Sequence, residues 1–510
     1  MNGILCEGQF LSTDDLQERA GRAASWLAAA GIRAGDTVAL LLRNDVAFLE
    51  ASLAAGRIGA APVPLNWHGT AEEITYVLAD SAAKVLVAHA DLFAPLRDVL
   101  PPSLQVRVVP TPSGIREAYH VSPETAEPLA GEARWSEWLE SQAPEGPDPA
   151  SVGGATMFYT SGTTGKPKGV RRLPPSDPGA LMQSILVQMI AIGVEPGART
   201  AVTAPLYHSA PNAFSLAAVS VGTFMVLESR FDPARLLQLI EEHQLTHLYL
   251  VPTMFVRLLK LPEYVRNRYD LSSLKRVTHG AAPCPDHVKQ AMIDWWGPII
   301  EEFYGGTEIG AVTASTSPQW LSHPGTVGRP LAGVTIKVLD PTGQPVAVGE
   351  QGEIFGRMAG FYDFEYENAP GAREEVGKDE LVTVGDIGYL DEDGFLYLCD
   401  RKRDMVISGG ANIYPIEIEA CLITMPGVRD VAVFGIPDEE FGEALAAVIE
   451  RDDDSSIDAD DVRAFVRDRL AGFKVPRIVE FEQALPREDS GKIFKRKLRD
   501  PYWAGTGRSI

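Results

Sequence analysis

Over the first hundred residues the apolar positions switch between two periods. Ser12 and Thr13 precede Asp14 and Asp15, and Leu16, Ala20, Ala23 and Leu27 then recur at helical spacing as far as Gly31. A capping hydroxyl, an acidic first turn and a closing glycine predict a helix with one buried stripe. Thr37–Leu42 is a short apolar run and predicts a buried strand. Val46–Ile58 predicts a helix, Ala61–Leu65 a strand, Glu72–Asp80 a helix and Lys84–His89 a strand. Strands alternating with helices in this way predict a parallel α/β sheet.

The pattern weakens over Leu100–Asp148, which is rich in Pro, Glu and Ser and reads as irregular surface connection with room for short strands. Alternation resumes with strand Thr200–Ala204, helix Pro233–His243, strand His247–Val251, helix Pro252–Lys260 and strand Lys275–Gly280. Helix Asp286–Trp296 then leads to Ile299–Phe303. From about Gly325 the texture becomes short alternating strands, Thr335–Leu339, Gly352–Phe355 and Gly394–Leu398, which predicts an antiparallel β subdomain. After Asp400 it changes again, to a strand at Val431–Gly435, a helix around Asp461–Leu470 and a basic tail with Lys492, Lys495, Arg496 and Lys497. A domain boundary is expected near Asp400–Asp404. The acidic run Asp452–Asp461 reads as a solvated loop.

Composition narrows the classes. With 510 residues, 45% hydrophobic and 23% charged, the chain is long enough for more than one domain of ordinary globular make-up. A formal charge of -23 argues against nucleic acid or an anionic membrane as the main partner, so anionic small molecules must be met by local positive groups. Cys6, Cys284, Cys399 and Cys421 are far apart and form no Cys-x-x-Cys pair, which points away from a zinc knuckle or a disulfide framework. The N-terminal Met1–Gly8 has no basic segment followed by an apolar one, unlike a signal peptide. The most apolar windows, Leu181–Gly193 and Ala213–Leu227, are too short to span a bilayer, so a cytoplasmic enzyme is expected.

Phe158-Tyr-Thr-Ser-Gly-Thr-Thr-Gly-Lys-Pro-Lys-Gly169 carries three glycines, four hydroxyl residues and two lysines. Glycines let backbone amides approach an anion, and hydroxyls and lysines add donors, so a polyphosphate suits it. It is not a Walker loop: Thr160 stands where the first glycine is required, and Pro167 replaces the hydroxyl residue after Lys166.

The stretch Tyr159–Gly169 resembles the signature of the adenylate-forming superfamily, which includes acyl-CoA synthetases, firefly luciferase and peptide-synthetase adenylation domains. Further matches follow in the family's order: Pro205–Ser209, His279–Pro283, Glu302-Phe-Tyr-Gly-Gly-Thr-Glu308, Val384–Gly388, Asp400–Glu419 and Leu485–Ile493. The resemblance implies an α/β fold: a large N-terminal domain of stacked α/β sheets with a small β subdomain, then a small mobile α+β C-terminal domain. It assigns residues 1–400 to AMP and acyl binding, 401–404 to a hinge carrying Arg403, and 405–510 to a lid with the catalytic lysine.

By the same resemblance, Thr160, Ser161, Gly162, Thr163, Thr164, Gly165, Lys166 and Lys168 hold the β- and γ-phosphates of ATP. Gly280, Ala281 and Ala282 line the adenine and acyl pockets. Tyr304 offers a ring for stacking on adenine, Gly305 belongs to the same motif, and Thr307 bonds a phosphate. Glu308 holds Mg2+ across the phosphates. Asp386 accepts from the ribose hydroxyls, and Arg401 contacts ribose or phosphate. Ser408–Ala411, with Gly409 and Gly410, lines the pantetheine tunnel of coenzyme A. Lys492 bridges the substrate carboxylate and the α-phosphate. His208 stands beside the carboxylate where amino-acid-activating relatives carry aspartate, which disfavours an α-amino acid.

Two departures from the family pattern bear on the acid. Phe303 replaces the first glycine of its motif, and Gly306 replaces a bulkier residue and is expected to leave extra room. Ser209, Ala210, Ala213, Gly280, Ala281, Gly305 and Gly306 suggest space, and Phe214, Met254 and Phe255 suggest apolar walls. The implied reaction is ATP-dependent carboxylate–CoA ligation of a fatty, aryl or other bulky apolar acid, with ATP, Mg2+ and coenzyme A. The alternatives are a stand-alone adenylation enzyme that loads a carrier protein and a luciferase-like oxygenase. The partners are small molecules; no nucleic acid and no integral membrane segment are expected, and a homodimer is an allowed assembly.

Overall fold

The computed structural model describes residues 2–141, 154–160, 167–174, 177–401, 404–408, 411–438, 441–452, 455–487 and 493–504. The first helix is Thr13–Ala29; the Ser12 side chain accepts from the Asp15 amide, and Asp14 and Asp15 fill the first turn. Its predicted stripe, Leu16, Ala20, Ala23 and Leu27, is fully buried. The strands that follow form a parallel sheet in the order Ala61–Pro64, Thr37–Leu41, Val85–His89, Gln105–Val109. The last of these lies in the segment read as irregular connection, which also holds helices Ser113–Tyr119 and Trp135–Glu140. They are stabilised by contacts the local pattern does not carry: Trp135 is buried and donates to Glu50 Oε2 at 2.9 Å.

A second, 14-stranded sheet dominates the large N-terminal domain. Its parallel part comprises Gly3–Cys6, Phe224–Leu227, Arg199–Val202, His247–Leu250, Arg276–His279 and Ile300–Gly306. Direction reverses at Gly310–Ser315. The sheet continues antiparallel through Thr326–Pro330, Leu396–Arg401, Leu381–Leu390, Gly352–Met358 and Val334–Leu339. The expected β subdomain is therefore hydrogen-bonded onto the parallel sheet and does not stand apart from it. Gly328 permits the junction: at φ +98° it brings the strand so close that a Cβ would lie 2.0 Å from the Ala314 carbonyl oxygen.

A three-stranded antiparallel ribbon comprises Phe158–Thr160, Lys168–Arg172 and Phe364–Tyr366. The small C-terminal domain has a five-stranded sheet: Ala411–Ile413, Val406–Ser408, Gly442–Arg451 and Val428–Asp438, with Ile478–Glu482 pairing parallel to Gly442–Arg451. Helices Pro415–Leu422 and Ala459–Arg467 cover it, and Ile418, Leu422, Val433, Ile449, Val462 and Val466 form its own core. Of the two apolar windows, one is the helix Pro178–Ala191, and the other divides into helix Ser209–Ser220 and strand Phe224–Leu227. Among the described residues no helix is long and apolar enough to cross a membrane.

Candidate active site

The ribbon provides the first wall of the site. Thr160 lies opposite Lys168 in the pair Phe158–Thr160 and Lys168–Arg172, which the glycine-rich segment connects. Ser161, Gly162, Thr163, Thr164, Gly165 and Lys166 lie outside the described residues. The root of the connection is anchored on helix Ala71–Asp80. Tyr159 donates its hydroxyl to Asp80 Oδ2 at 2.7 Å, and Tyr76 donates to the Pro167 carbonyl at 3.2 Å. Burial and the neighbouring Asp80 raise the Tyr159 phenol far above its ordinary value, so it stays a donor.

The second wall is the turn after strand Ile300–Gly306. The strand carries a bulge between Tyr304 and Gly305, where a Cβ on Gly305 would sit 2.0 Å from the Gly310 carbonyl oxygen. Only glycine allows that approach. Gly306 departs from expectation. A Cβ there would meet Val384 Cγ1 at 2.6 Å, so Val384 holds the space that its small size was expected to leave open.

The turn itself is held from three sides. Thr307 Oγ1 bonds Ser209 Oγ at 3.3 Å, Tyr366 donates its hydroxyl to Glu308 Oε1 at 3.1 Å, and Arg172 donates to the carbonyls of Thr307 and Glu308. Among the described residues no cluster of three His, Cys, Asp or Glu could hold a metal by itself. Mg2+ is usually carried by substrate phosphates and one or two carboxylates, which a single carboxylate such as Glu308 suits.

Asp386 forms the third wall on strand Leu381–Leu390. Its Oδ2 accepts from the Tyr304 hydroxyl at 2.8 Å, and its Cα pairs across the ladder with that of Arg401. Tyr304 differs from its expected role as an open stacking platform. Its ring is buried beside Val170, Ile309 and Val312, and its hydroxyl positions Asp386. Ala281 and Ala282 do face the cleft, with Ala281 in the left-handed region at φ +69°. Gly280 does not line it; a Cβ there would meet the Phe303 ring at 2.9 Å. The large residue at 303 is thus accommodated by the missing side chain at 280. Arg403, Gly409, Gly410 and Lys492 lie outside the described residues.

These walls enclose one cavity of about 1110 Å³. Its polar part holds Thr160, Lys168, Thr307, Glu308, Thr383 and Asp386. Its apolar lining includes Ile185 and Met189 of helix Pro178–Ala191, Ala213, Leu216 and Ala217 of helix Ser209–Ser220, and Tyr249, Met254 and Phe303. His208 immediately precedes the second helix and lines the cavity, its ring 4.3 Å from that of Tyr207. Ser209, Ala210 and Met254 line it as expected. Phe214 and Phe255 do not: both are fully buried behind the wall, Phe214 against Tyr249 and Phe255 against His279. Sequence reasoning also missed Arg172, Gln188, Tyr366 and Val384. Gln188 pairs its side-chain amide with the backbone of Ala311, at 2.8 and 2.6 Å, and so fixes the start of the strand after the bulge.

Residues 3–361 match the family described as AMP-binding enzyme, and residues 417–492 match the AMP-binding enzyme C-terminal domain. A feruloyl-CoA synthase of Amycolatopsis sp is 34% identical over 501 residues, covering 96% of this chain and 94% of the relative. The long-chain-fatty-acid–CoA ligase FadD13 of Mycobacterium tuberculosis is 31% identical over 490 residues, covering 95% and 92%. Among solved structures, ATP-bound MatB from Rhodopseudomonas palustris superposes with a TM-score of 0.82 at 28% identity, covering 99% of this chain and 96% of that one. The chain belongs to the AMP-binding enzyme family, within the adenylate-forming superfamily.

Proposed function

We propose that this member of the AMP-binding enzyme family is an ATP-dependent carboxylate–CoA ligase, which activates a bulky apolar acid as its acyl-adenylate and transfers it to coenzyme A. The observation that supports this reading is a single cavity lined by two chemically distinct sets of side chains. One presents hydroxyls, Lys168, Glu308 and Asp386; the other presents Ile185, Met189, Leu216, Met254 and Phe303. An acid whose tail fills the apolar part places its carboxylate at the polar part, near His208 and the Thr307–Glu308 turn.

In the first half-reaction a carboxylate oxygen attacks the α-phosphorus of ATP, and the bond to pyrophosphate breaks. No general base is needed, because the acid is already ionised at neutral pH. Charge neutralisation and alignment matter more. Thr160 and Lys168, with the segment between them, hold the outer phosphates. Glu308 would hold Mg2+, which supplies further neutralisation of the phosphate oxygens. Asp386, held by Tyr304, takes the ribose hydroxyls together with Arg401, and Ala281 and Ala282 border the base. Lys492 bridges carboxylate and α-phosphate. In the second half-reaction the CoA thiol attacks the acyl carbon and AMP leaves.

The same reading divides the chain into residues 1–400, a hinge at 401–404, and a mobile lid at 405–510 that presents Lys492 first and the Gly409–Gly410 loop second. It places the enzyme in the cytoplasm, with a homodimer as an allowed assembly. The acid class is supported by the apolar part of the cavity and by relatives named for ferulate and long-chain fatty acids. Pyrophosphate release across a panel of aryl and fatty acids, with and without CoA, tests it. CoA-dependent turnover with apolar acids is expected. Turnover that needs a carrier protein in place of CoA would overturn the acceptor, and light emission with a luciferin would point to the oxygenase.

A further inference from the structure

We infer that Arg172 is a positioning residue that couples the phosphate-binding hairpin to the turn carrying Glu308; the inference rests on the ligase reading above. Arg172 is the last residue of strand Lys168–Arg172. Its guanidinium donates through Nη1 to the Glu308 carbonyl at 2.7 Å and through Nη2 to the Thr307 carbonyl. It also lies over the Phe361 ring, 5.1 Å from the centroid. Burial lowers its pKa to about 10, with the nearby Glu308 opposing that shift, so it remains a cation at neutral pH.

A partly buried guanidinium usually meets a carboxylate in a two-pronged pair. Here the two prongs grip successive carbonyls of one turn. Because each peptide is planar and trans, drawing the Thr307 and Glu308 carbonyls toward Arg172 turns the Glu308 and Ile309 amides the opposite way. The fork thus sets the orientation of two peptide planes where Glu308 departs.

The other end of the same strand is latched to the same turn. Lys168 Nζ lies 5.4 Å from the centre of the Tyr366 ring, and the Tyr366 hydroxyl donates to Glu308 Oε1. Tyr366 belongs to strand Phe364–Tyr366, which pairs with Lys168–Arg172. Four residue steps of strand, about 13 Å, therefore carry two separate connections to one turn. A displacement of the hairpin by the outer phosphates is passed to the carboxylate that would hold their Mg2+. Lysine could not substitute, since one ammonium cannot hold two carbonyls in fixed geometry.

The test uses the full-length chain with R172M and R172K. Three readouts are taken: the rise in Tm caused by ATP with Mg2+ over that with ATP and EDTA, the kcat/KM for ATP in pyrophosphate release, and thioester formation from supplied acyl-AMP. R172M is expected to lose the Mg2+-dependent part of the Tm rise and about 10²-fold in kcat/KM, as misplacement of a reacting group does. Thioester formation should stay within about twofold, and R172K should recover less than about a tenth of the loss. A normal Mg2+-dependent Tm rise in either variant would overturn the inference, and so would equal losses in the two half-reactions. If R172M does not fold, R172K decides by the same readouts. A wild-type enzyme that makes acyl-AMP but no CoA thioester would refute the ligase reading, while the ATP readouts would still judge Arg172.

Discussion

Lys289→Met probes how the strand that delivers the Thr307–Glu308 turn is held. Lys289 lies on helix Asp286–Trp296, and its Nζ sits 2.6 Å from Glu302 Oε2, five residues before Thr307 on the strand side. The two side chains are 1% and 8% exposed. The ammonium also lies over the Trp320 ring, and His279 Nε2 is 3.8 Å from the same carboxylate oxygen. Burial pushes the Glu302 carboxyl up against the downward pull of Lys289, and burial together with Lys289 holds His279 well below the usual histidine range. Removing one member of such a pair leaves an uncompensated buried charge, at a cost of about 3–5 kcal/mol. For a cooperative unit of about 400 residues, an unfolding entropy of about 2.1 cal/mol/K per residue converts this to a fall of roughly 4–6 °C in Tm.

The pH dependence has a definite sign. Without Lys289, burial raises Glu302 in the folded state above its unfolded value. The folded form then takes up a proton that the unfolded chain does not, and the variant gains stability relative to wild type as pH falls. The Tm deficit should therefore be largest near pH 8 and shrink toward pH 5, read by scanning fluorimetry of both proteins in matched buffers. Lys289→Met combined with Glu302→Leu should recover most of the loss, since an apolar pair of similar volume is often neutral or better. A deficit that is independent of pH, or a double variant no better than the single one, would refute the reasoning.

Lys492→Ala should abolish acyl-adenylate formation yet leave thioester formation from supplied acyl-AMP largely intact; equal loss in both would contradict the bridging role. Arg403→Pro should impair thioester formation more than adenylation, with the two halves measured separately. Tyr304→Phe removes the donor to Asp386 and should raise KM for ATP about tenfold with little change in Tm, as expected for one charged hydrogen bond. Gly305→Ala places a Cβ 2.0 Å from the Gly310 carbonyl oxygen, so pyrophosphate release should fall by more than about 10²-fold; near-normal activity would show that the bulge can open without cost.

The polar half of the site is legible in the sequence because each part is a short run of neighbours. Thr160 and Lys168 flank one glycine-rich segment, Thr307 and Glu308 follow one strand, and Asp386 sits beside one glycine. Their supports are not legible, since they join residues far apart in the chain: Arg172 reaches Glu308 across 136 positions, and Tyr304 reaches Asp386 across 82. The Pro-, Glu- and Ser-rich stretch concealed the strand Gln105–Val109 for the same reason, its partner being Val85–His89. Apolar walls are harder still. Phe214 and Phe255 carry the spacing of any buried helix, and only the packing puts them behind the cavity. On helix Pro178–Ala191, Ile185 and Met189 face the cavity while Met182, Leu186 and Ile190 are exposed, so its apolar residues run round the helix and mark no single face. Neutralising phosphate charge requires particular groups at particular atoms, and such groups leave motifs. Enclosing an apolar tail requires only shape, which many side chains from distant segments can supply. The reaction class is therefore written in short runs of sequence, and the shape of the apolar lining in packing between distant segments.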